Sequence, residues 1–132
     1  MIRAHRNAVI AELETRLPGA VFKSYSAAAK APTVSRYAVV FIGRASKPRT
    51  RFTGGQWRDI YTVTVHSVGS DEDLALWVEE RVALLTGVKL TVTGRNVWPV
   101  EYITGQPPNL DDDGTRPLWF TVSQFDIVSD PA

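Results

Sequence analysis

The sequence contains no cysteine and only two histidines, His5 and His66. Without cysteine it has no disulfide, no thiolate metal site and no cysteine nucleophile. No apolar run approaches the ~20 residues of a membrane span, and the amino terminus lacks the apolar core of a signal peptide. We therefore expect a cytoplasmic protein that uses no membrane, no metal and no cofactor.

Acidic residues are absent from a long part of the chain, because none lies between Glu14 and Asp59. Residues 1–58 hold eleven Lys or Arg and two Glu, a net charge of +9, whereas residues 59–132 carry −8. Two interpretations stay open. The halves neutralise each other locally in one sheet, or the charge meets nucleic acid, an acidic partner or a second surface.

The most informative segment, residues 57–87, begins with a strand pattern. Tyr61, Val63 and Val65 alternate with Thr62, Thr64 and His66. A period of two is typical of a strand that buries one face. This segment therefore predicts a long strand with an apolar side for other elements to cover.

The same segment continues as an amphipathic helix. Apolar residues recur at three- and four-residue spacing, which predicts a helix with one buried face. Ser70 and Asp73 have the spacing of a capping box, and Gly87 suits a helix C-terminus. The buried face is expected to consist of Leu74, Trp77, Val78, Val82 and Leu85.

The remaining elements predict an α+β fold: an antiparallel or mixed sheet with two helices on one face and long loops. At 132 residues the chain is expected to form a single domain, residues 1–132. Apart from residues 57–87, the pattern predicts a first helix over 3–17, strands over 20–26, 36–43, 89–93, 97–104 and 118–128, and loops over 27–35, 44–56 and 105–116. A shift of the apolar phase predicts a bulge near Gln124.

Reactive groups are few. His66 has no identifiable partner that would make it a catalytic base, so we expect a surface or interface histidine. The run Asp111-Asp112-Asp113-Gly114 lacks the alternating ligands and distal Glu of a calcium loop, which favours a solvated turn. Residues 43–55 do not match a phosphate-binding loop. The sequence therefore predicts that the protein is not an enzyme.

The basic loop offers one alternative function. Its cations can contact phosphates without sequence preference, and Phe52 and Trp57 can stack on bases. A monomeric nucleic-acid-binding module using residues 44–58 is therefore a second hypothesis. The absence of an overall basic excess counts against it, since the net charge is +1.

The order of elements resembles the tail terminator (tail completion, or tail-to-head joining) proteins of long-tailed bacteriophages. The residues that carry the resemblance are Tyr61-Thr-Val-Thr-Val-His-Ser-Val-Gly-Ser-Asp-Glu-Asp-Leu-Ala-Leu-Trp-Val-Glu-Glu-Arg-Val, supported by residues 110–128 with their acidic loop. The resemblance covers nearly the whole chain, as a pattern of residue types and order. The long basic loop and Trp98-Pro99 have no counterpart in that pattern.

The resemblance implies a structural virion protein in the tail or neck, assembled in the host cytoplasm. Such proteins form a hexameric ring that caps the tail tube, ends its polymerisation and presents the surface for head joining. The implied partners are further copies of the chain, the tail tube protein and the head–tail connector proteins, with DNA passing through the lumen. Another neck or tail-tube subunit is the alternative within the same particle.

A closed ring needs a heterologous interface, in which one patch meets a different patch of the neighbour. The opposite charges of the two long loops suit such an interface, because charge matching favours correct pairing. We therefore predict that the basic loop of one subunit faces the acidic loop of the next. The predicted subunit or partner interface consists of Arg44, Lys47, Arg49, Arg51, Trp57, Asp111, Asp112 and Asp113.

Overall fold

The structure, a computed structural model, describes residues 1–25, 27, 35–44, 58–111 and 118–132. Two helices lie in these residues, α1 (Ile2–Glu14) and α2 (Glu72–Val82), and a 3₁₀ turn (Ala83–Leu85) follows α2. The strands are β1 (Val21–Phe22), β2 (Arg36–Arg44), β3 (Asp59–Gly69), β4 (Arg95–Val97), β5 (Glu101–Asp111) and β6 (Leu118–Pro131).

These six strands form one sheet, in which β3 and β6 are central. The order is β1-β2-β3-β6-β4, and β5 pairs with the part of β6 that β4 leaves free. Only β1 and β2 are parallel, while the other neighbours are antiparallel. The predicted α+β class is confirmed, with a mixed sheet and both helices on one face.

The main core lies between that face and the two helices. Tyr61, Val63 and Val65 of β3 are fully buried there, as their alternation predicts. The helices contribute a buried stripe to the same core, and β6 adds aromatic and branched side chains. Its buried members from these three elements are Val9, Leu13, Val78, Val82, Phe125 and Ile127.

A second, smaller apolar cluster lies on the reverse face of the sheet. Tyr37, Val39 and Val68 are buried there, and Leu118 and Phe120 pack against them. The apolar character of both sides of β2 follows from this arrangement, because Ala38 and Val40 face the helices while Tyr37 and Val39 face the reverse cluster.

Helix α2 departs from the prediction at its start and on its buried face. Asp71, not Ser70, is the N-cap, and its carboxylate accepts a hydrogen bond from Leu74 N–H at 2.8 Å. Ser70 lies one residue too early, and its N–H donates to Ser35 O. Trp77 is only half-buried, and the Arg36 and Arg81 guanidiniums lie over its ring at 3.6 and 3.4 Å from the centroid.

The predicted strand over residues 89–93 is wrong, although Leu90 and Val92 are buried as their spacing indicates. One edge of β6 pairs with β3, and its other edge pairs with β4 and β5. Residues 89–93 therefore find no free strand edge on β6 to pair with. The predicted loop over 105–116 is also wrong up to Asp111, because β5 continues through Pro107-Pro108. Proline is tolerated there because β5 is an edge strand.

The bulge expected near Gln124 belongs to β5 and not to β6. Pairing of β3 with β6 runs without interruption from Asp59 to Gly69. The shift falls between Tyr102 and Thr104, which face Phe125 and Gln124, so Ile103 is the extra residue. The change of apolar phase in β6 has another cause. Leu118 and Phe120, at its start, pack into the reverse cluster, whereas Phe125 and Ile127 lie in the main core on the opposite face.

Candidate functional site

Two of the eight predicted interface residues lie in the described part of the chain. Arg44 ends β2, Asp111 ends β5, and both are exposed. The other six lie outside the described residues: Lys47, Arg49, Arg51, Trp57, Asp112 and Asp113. The structure therefore fixes where each charged loop leaves the sheet.

The two loops leave the sheet at opposite ends. Arg44 is in the same row as Tyr61 and Ile127, whereas Asp111 is opposite Leu118. The nine residues of β6 from one row to the other correspond to roughly 30 Å at the usual rise of a strand. Arg44 and Asp111 of one subunit are therefore too far apart to form an ion pair.

The ends of the basic loop are neutralised by acids of the same chain. Arg44 Nη1 donates to Asp59 Oδ1 at 2.9 Å, and Asp59 Oδ2 also lies 3.5 Å from Arg95 Nη2. Arg58 makes two hydrogen bonds to Asp130, at 2.8 and 3.1 Å. Local neutralisation, one of the two interpretations of the charge asymmetry, thus holds for Arg44 and Arg58.

Sequence reasoning missed an exposed tryptophan beside this loop. Trp98 is 49% exposed, and its Nε1 donates to Asp130 Oδ2 at 2.7 Å. Hydrogen bonds from Arg58 and then Trp98 lower the pKa of Asp130 to about 2. Arg58 also lies 5.8 Å from the Trp98 ring centroid. An exposed tryptophan held by an ion pair has the chemistry of an interface anchor.

His5, to which the sequence assigned no role, is fully buried in a hydrogen-bond network near this end of the sheet. Its Nδ1 donates to Met1 O at 2.7 Å, so Nε2 accepts from Ser129 Oγ at 2.8 Å. Arg95 Nε donates to the same Oγ at 2.9 Å. Burial lowers the pKa of His5. The imidazole is therefore neutral and structural, and the ring packs on Tyr61.

His66 belongs to an aromatic group on the reverse face. Its ring stacks on Phe120 and meets the ring of Phe41 edge-on, and Tyr25 Oη lies 2.7 Å from Nδ1. Burial lowers the pKa of His66 and raises that of Tyr25 to about 12. Tyr25 therefore stays protonated and donates to a neutral imidazole. The partner that the sequence did not identify is a tyrosine, which does not activate a general base.

Reactive groups do not converge in the residues that the structure describes. One shallow cavity of about 260 Å³ contains no His, Asp or Glu, and is lined by Leu17, Pro18, Gly19, Ala20, Ser35, Arg36 and Trp77. No three acidic or histidine side chains of the described segments come together as metal ligands do. Neither α1 nor α2 has the length and apolar character to cross a bilayer.

No protein-family model matches the chain, and no curated protein sequence matches it significantly. Its fold is similar to that of a chain in the virion of a native gene transfer agent particle, with a TM-score of 0.69 and 10% identity over 95% of this chain and 93% of the other. A second solved structure, of a protein with no stated function, has a TM-score of 0.58 and 14% identity over 98% and 93% of the two chains. These likenesses establish a shared fold over nearly the whole chain.

Proposed function

We propose that this chain is a structural protein of a phage-like virion, and that it caps the tail tube as a hexameric ring, ends tail polymerisation and forms the head-joining surface. The single observation that carries the proposal is the fold likeness, over nearly the full length of both chains, to a component of a virion particle. In this role the chain has no catalytic activity, and its contacts are with copies of itself, the tail tube protein, the head–tail connector proteins and DNA in the lumen.

The placement of the charged loops supports a ring with two different faces. The basic loop between Arg44 and Arg58 leaves one end of the sheet, and the acidic loop after Asp111 leaves the other. If the strands run along the ring axis, one face is basic and the other acidic. Each face then presents a distinct surface to a different neighbour, as a tail-to-head joint requires.

The pairing of basic and acidic loops in adjacent subunits stays a prediction with a geometric condition. Since Arg44 and Asp111, where the loops leave the sheet, lie at its opposite ends, pairing close to these residues requires neighbouring subunits to be staggered along the axis by about the length of the sheet, roughly 30 Å. Without that stagger the loops contact proteins above and below the ring.

The proposal is tested by sedimentation velocity of the purified chain across a wide range of concentration, with electron microscopy of the largest species. A hexameric ring that binds the open end of a purified tail tube supports it. A chain that is monomeric at every concentration, alone and with the tube, contradicts it.

The same samples test the alternative of a nucleic-acid-binding module. That function requires a monomer that binds DNA with an affinity falling steeply as salt rises. The ion pairs of Arg44 with Asp59 and of Arg58 with Asp130 weaken this alternative, because they occupy both cations at the ends of the loop.

A further inference from the structure

The sheet has two open edges, and each is open over a short stretch. On one side, β1 covers only Ala38 and Val39 of β2, so the described chain leaves β2 open from Val40 to Arg44. After β1 the chain moves to the reverse face, where Tyr25 contacts His66. On the other side, β5 pairs with β6 alone.

The open stretch of β5 is limited by its own sequence. Proline has no N–H, so Pro107 and Pro108 end the row of outward donors. A second register shift lies at the same place, between Gln106 and Asn109. Proline normally protects a strand edge from pairing. Residues 101–105 contain no proline, and Glu101, Tyr102, Thr104 and Gly105 keep their partners on β6 on either side of the extra residue Ile103, so they are the part of β5 that can accept another strand.

The two open stretches are at the same level of the sheet. Gly43, Thr62, Asp126 and Glu101 form one continuous row across β2, β3, β6 and β5. Two rows away, the corresponding residues of β2 and β5 are Phe41 and Thr104, through Thr64 and Gln124. Copies related by rotation about an axis parallel to the strands therefore bring residues 40–44 beside residues 101–105.

The direction of the strands also matches. β2 is antiparallel to β3, β3 to β6 and β6 to β5, so β5 runs opposite to β2. A rotated copy keeps the direction of its own β2, and the new pair is antiparallel. This pairing has the same pattern of hydrogen bonds as the antiparallel pairs inside the subunit.

The charges favour pairing of β5 with β2 of the next copy over pairing of β5 with a second β5. β5 carries the acids Glu101 and Asp111, so a β5–β5 contact brings like charges together. No Lys or Arg occurs between Arg95 and Arg116. The open stretch of β2 instead has the exposed cation Lys23, which follows β1, near one end, and at the other end Arg44, which already pairs with Asp59.

Exposed apolar side chains are present on both edges. Tyr102 and Ile103 of β5 are 42% and 47% exposed, and Phe41 of β2 is 38% exposed. Aromatic and branched residues on neighbouring strands stabilise a sheet when they pair across it. Tyr102 shares a row with Ile42 of β2, through Phe125 and Val63, and these two side chains with the adjacent Ile103 are expected to supply the apolar centre of the contact, while Phe41 lies on the reverse face.

We propose that residues 101–105 of β5 pair with residues 40–44 of β2 in the next copy of the chain, so that the sheets continue from subunit to subunit around the ring. This inference rests on the proposed function for ring closure. It makes the subunit interface a strand-to-strand contact, with the charged loops on the two faces of the ring.

A pair of engineered cysteines tests the contact, and the absence of native cysteine removes any background. The variant carries Gly43→Cys and Glu101→Cys in one chain, since these residues share a row. A Cβ at Gly43 meets no atom within 4 Å. Treatment with a short bismaleimide is expected to give a ladder of covalent oligomers up to the hexamer on a denaturing gel. The matched control pairs Gly43→Cys with Asn109→Cys, which lies near the other end of β5, and should give no ladder.

A second variant tests the apolar centre. Ile103→Asp should raise the concentration for half-assembly by about tenfold or more, because it buries an unpaired charge. Leu84→Asp is the matched control, since Leu84 is 55% exposed but lies on the 3₁₀ turn, outside both stretches that are proposed to pair. Circular dichroism of the monomers checks that both variants fold.

The outcomes separate the two proposals. A ladder in the Gly43/Glu101 variant alone, with assembly lost in Ile103→Asp alone, supports the strand contact. Rings without a ladder, or rings that Ile103→Asp leaves intact, overturn the strand contact while the ring proposal stands. A chain that is monomeric under all conditions overturns both.

Discussion

Hydrogen bonding fixes the protonation state of His5. The Met1 carbonyl accepts from Nδ1, which leaves Nε2 to accept from the Ser129 hydroxyl. Protonation adds a hydrogen at Nε2 and a positive charge close to Arg95, whose own hydrogen bond already uses the Ser129 oxygen. A single buried side chain therefore links the amino terminus of α1 to the last strand only while it is neutral.

We predict that the stability of the chain falls when the pH is lowered from about 8 to about 5. The folded pKa of His5 lies below the unfolded value of 6.5. Above 6.5 the contribution of the neutral imidazole is fully present, and it is lost as the pH falls through the folded pKa, because the unfolded chain binds more protons in that window. Urea unfolding at the two pH values measures the change.

Since burial also lowers the pKa of His66, the pH effect has two sources with the same sign. His5→Gln and His66→Gln should each reduce the difference between pH 8 and pH 5, and the double variant should reduce it further. A double variant with the wild-type difference would contradict this assignment.

At the scale of elements, the connection from β3 to α2 brings two backbone segments into close contact. A Cβ at Gly69 would collide with Ala75 N and approach Leu74 Cβ to 2.7 Å. The last residue of the strand and the first turn of the helix therefore touch through their backbones. This contact sets the angle at which the buried stripe of α2 meets the sheet.

We predict that Gly69→Ala lowers the free energy of unfolding by about 1–3 kcal/mol, the usual cost of overpacking. The atoms that the new methyl group meets belong mainly to the backbone of α2, which cannot rotate away as the end of a flexible side chain can. Gly43→Ala is the matched control, because it also lies in a strand but meets nothing within 4 Å. Equal stabilities of the two variants in urea would show that the helix can shift without cost.

The N-cap of α2 gives a further prediction at this scale. Asp71→Ala should destabilise the chain by about 1 kcal/mol, because Leu74 N–H loses its acceptor. Ser70→Ala should have little effect, since only its backbone is used. Thermal unfolding of both variants distinguishes this N-cap from the Ser70 box that the sequence favoured, and a larger loss in Ser70→Ala would reverse the assignment.

For the whole molecule, the sheet places the described ends of the two charged loops far apart, with Arg44 at one end and Asp111 at the other. The basic loop leaves by the end that holds Asp59 and Asp130, and the acidic loop leaves by the other. Charge asymmetry along the sequence thus becomes a difference between two ends of the fold. Steering of different partners to the two ends is the physical consequence, since exposed charges act over ~8 Å at physiological ionic strength.

Reversal of Asp111, Asp112 and Asp113 to lysine tests what the acidic loop contacts. If subunits join through β5 and β2 at one level, rings still form and binding of the protein on the acidic face is lost. Sedimentation velocity and binding to the tail tube and connector proteins measure the two effects separately. The matched control reverses Lys47, Arg49 and Arg51 to glutamate.

Ring formation blocked by the acidic reversal, and partly restored when both loops are reversed, would favour the staggered loop pairing expected from the sequence. That result would contradict a contact between β5 and β2 of subunits at the same level along the ring axis. The chain itself should fold in all of these variants, because the sequence predicts that these charges lie in solvated loops, and exposed charges contribute little to stability.

The sequence alone determined the parts of this protein that depend on local periodicity. The alternation around Tyr61 and the spacing of Val78 and Val82 predicted β3, α2 and the face on which they meet. The class of fold followed, because a half-buried strand and an amphipathic helix must cover each other. The scarcity of reactive side chains likewise led to the prediction that the protein is not an enzyme, while a structural role was what the resemblance implied.

Tertiary structure decided what periodicity does not encode. The segment with Leu90 and Val92 alternates like a strand, yet β6 had no free side for it, while residues 105–111 contain two prolines and pair with β6 all the same. Likewise, Trp77 carries an apolar spacing but meets two guanidiniums. Each outcome depends on which neighbour the fold supplies, and that neighbour comes from a distant part of the chain.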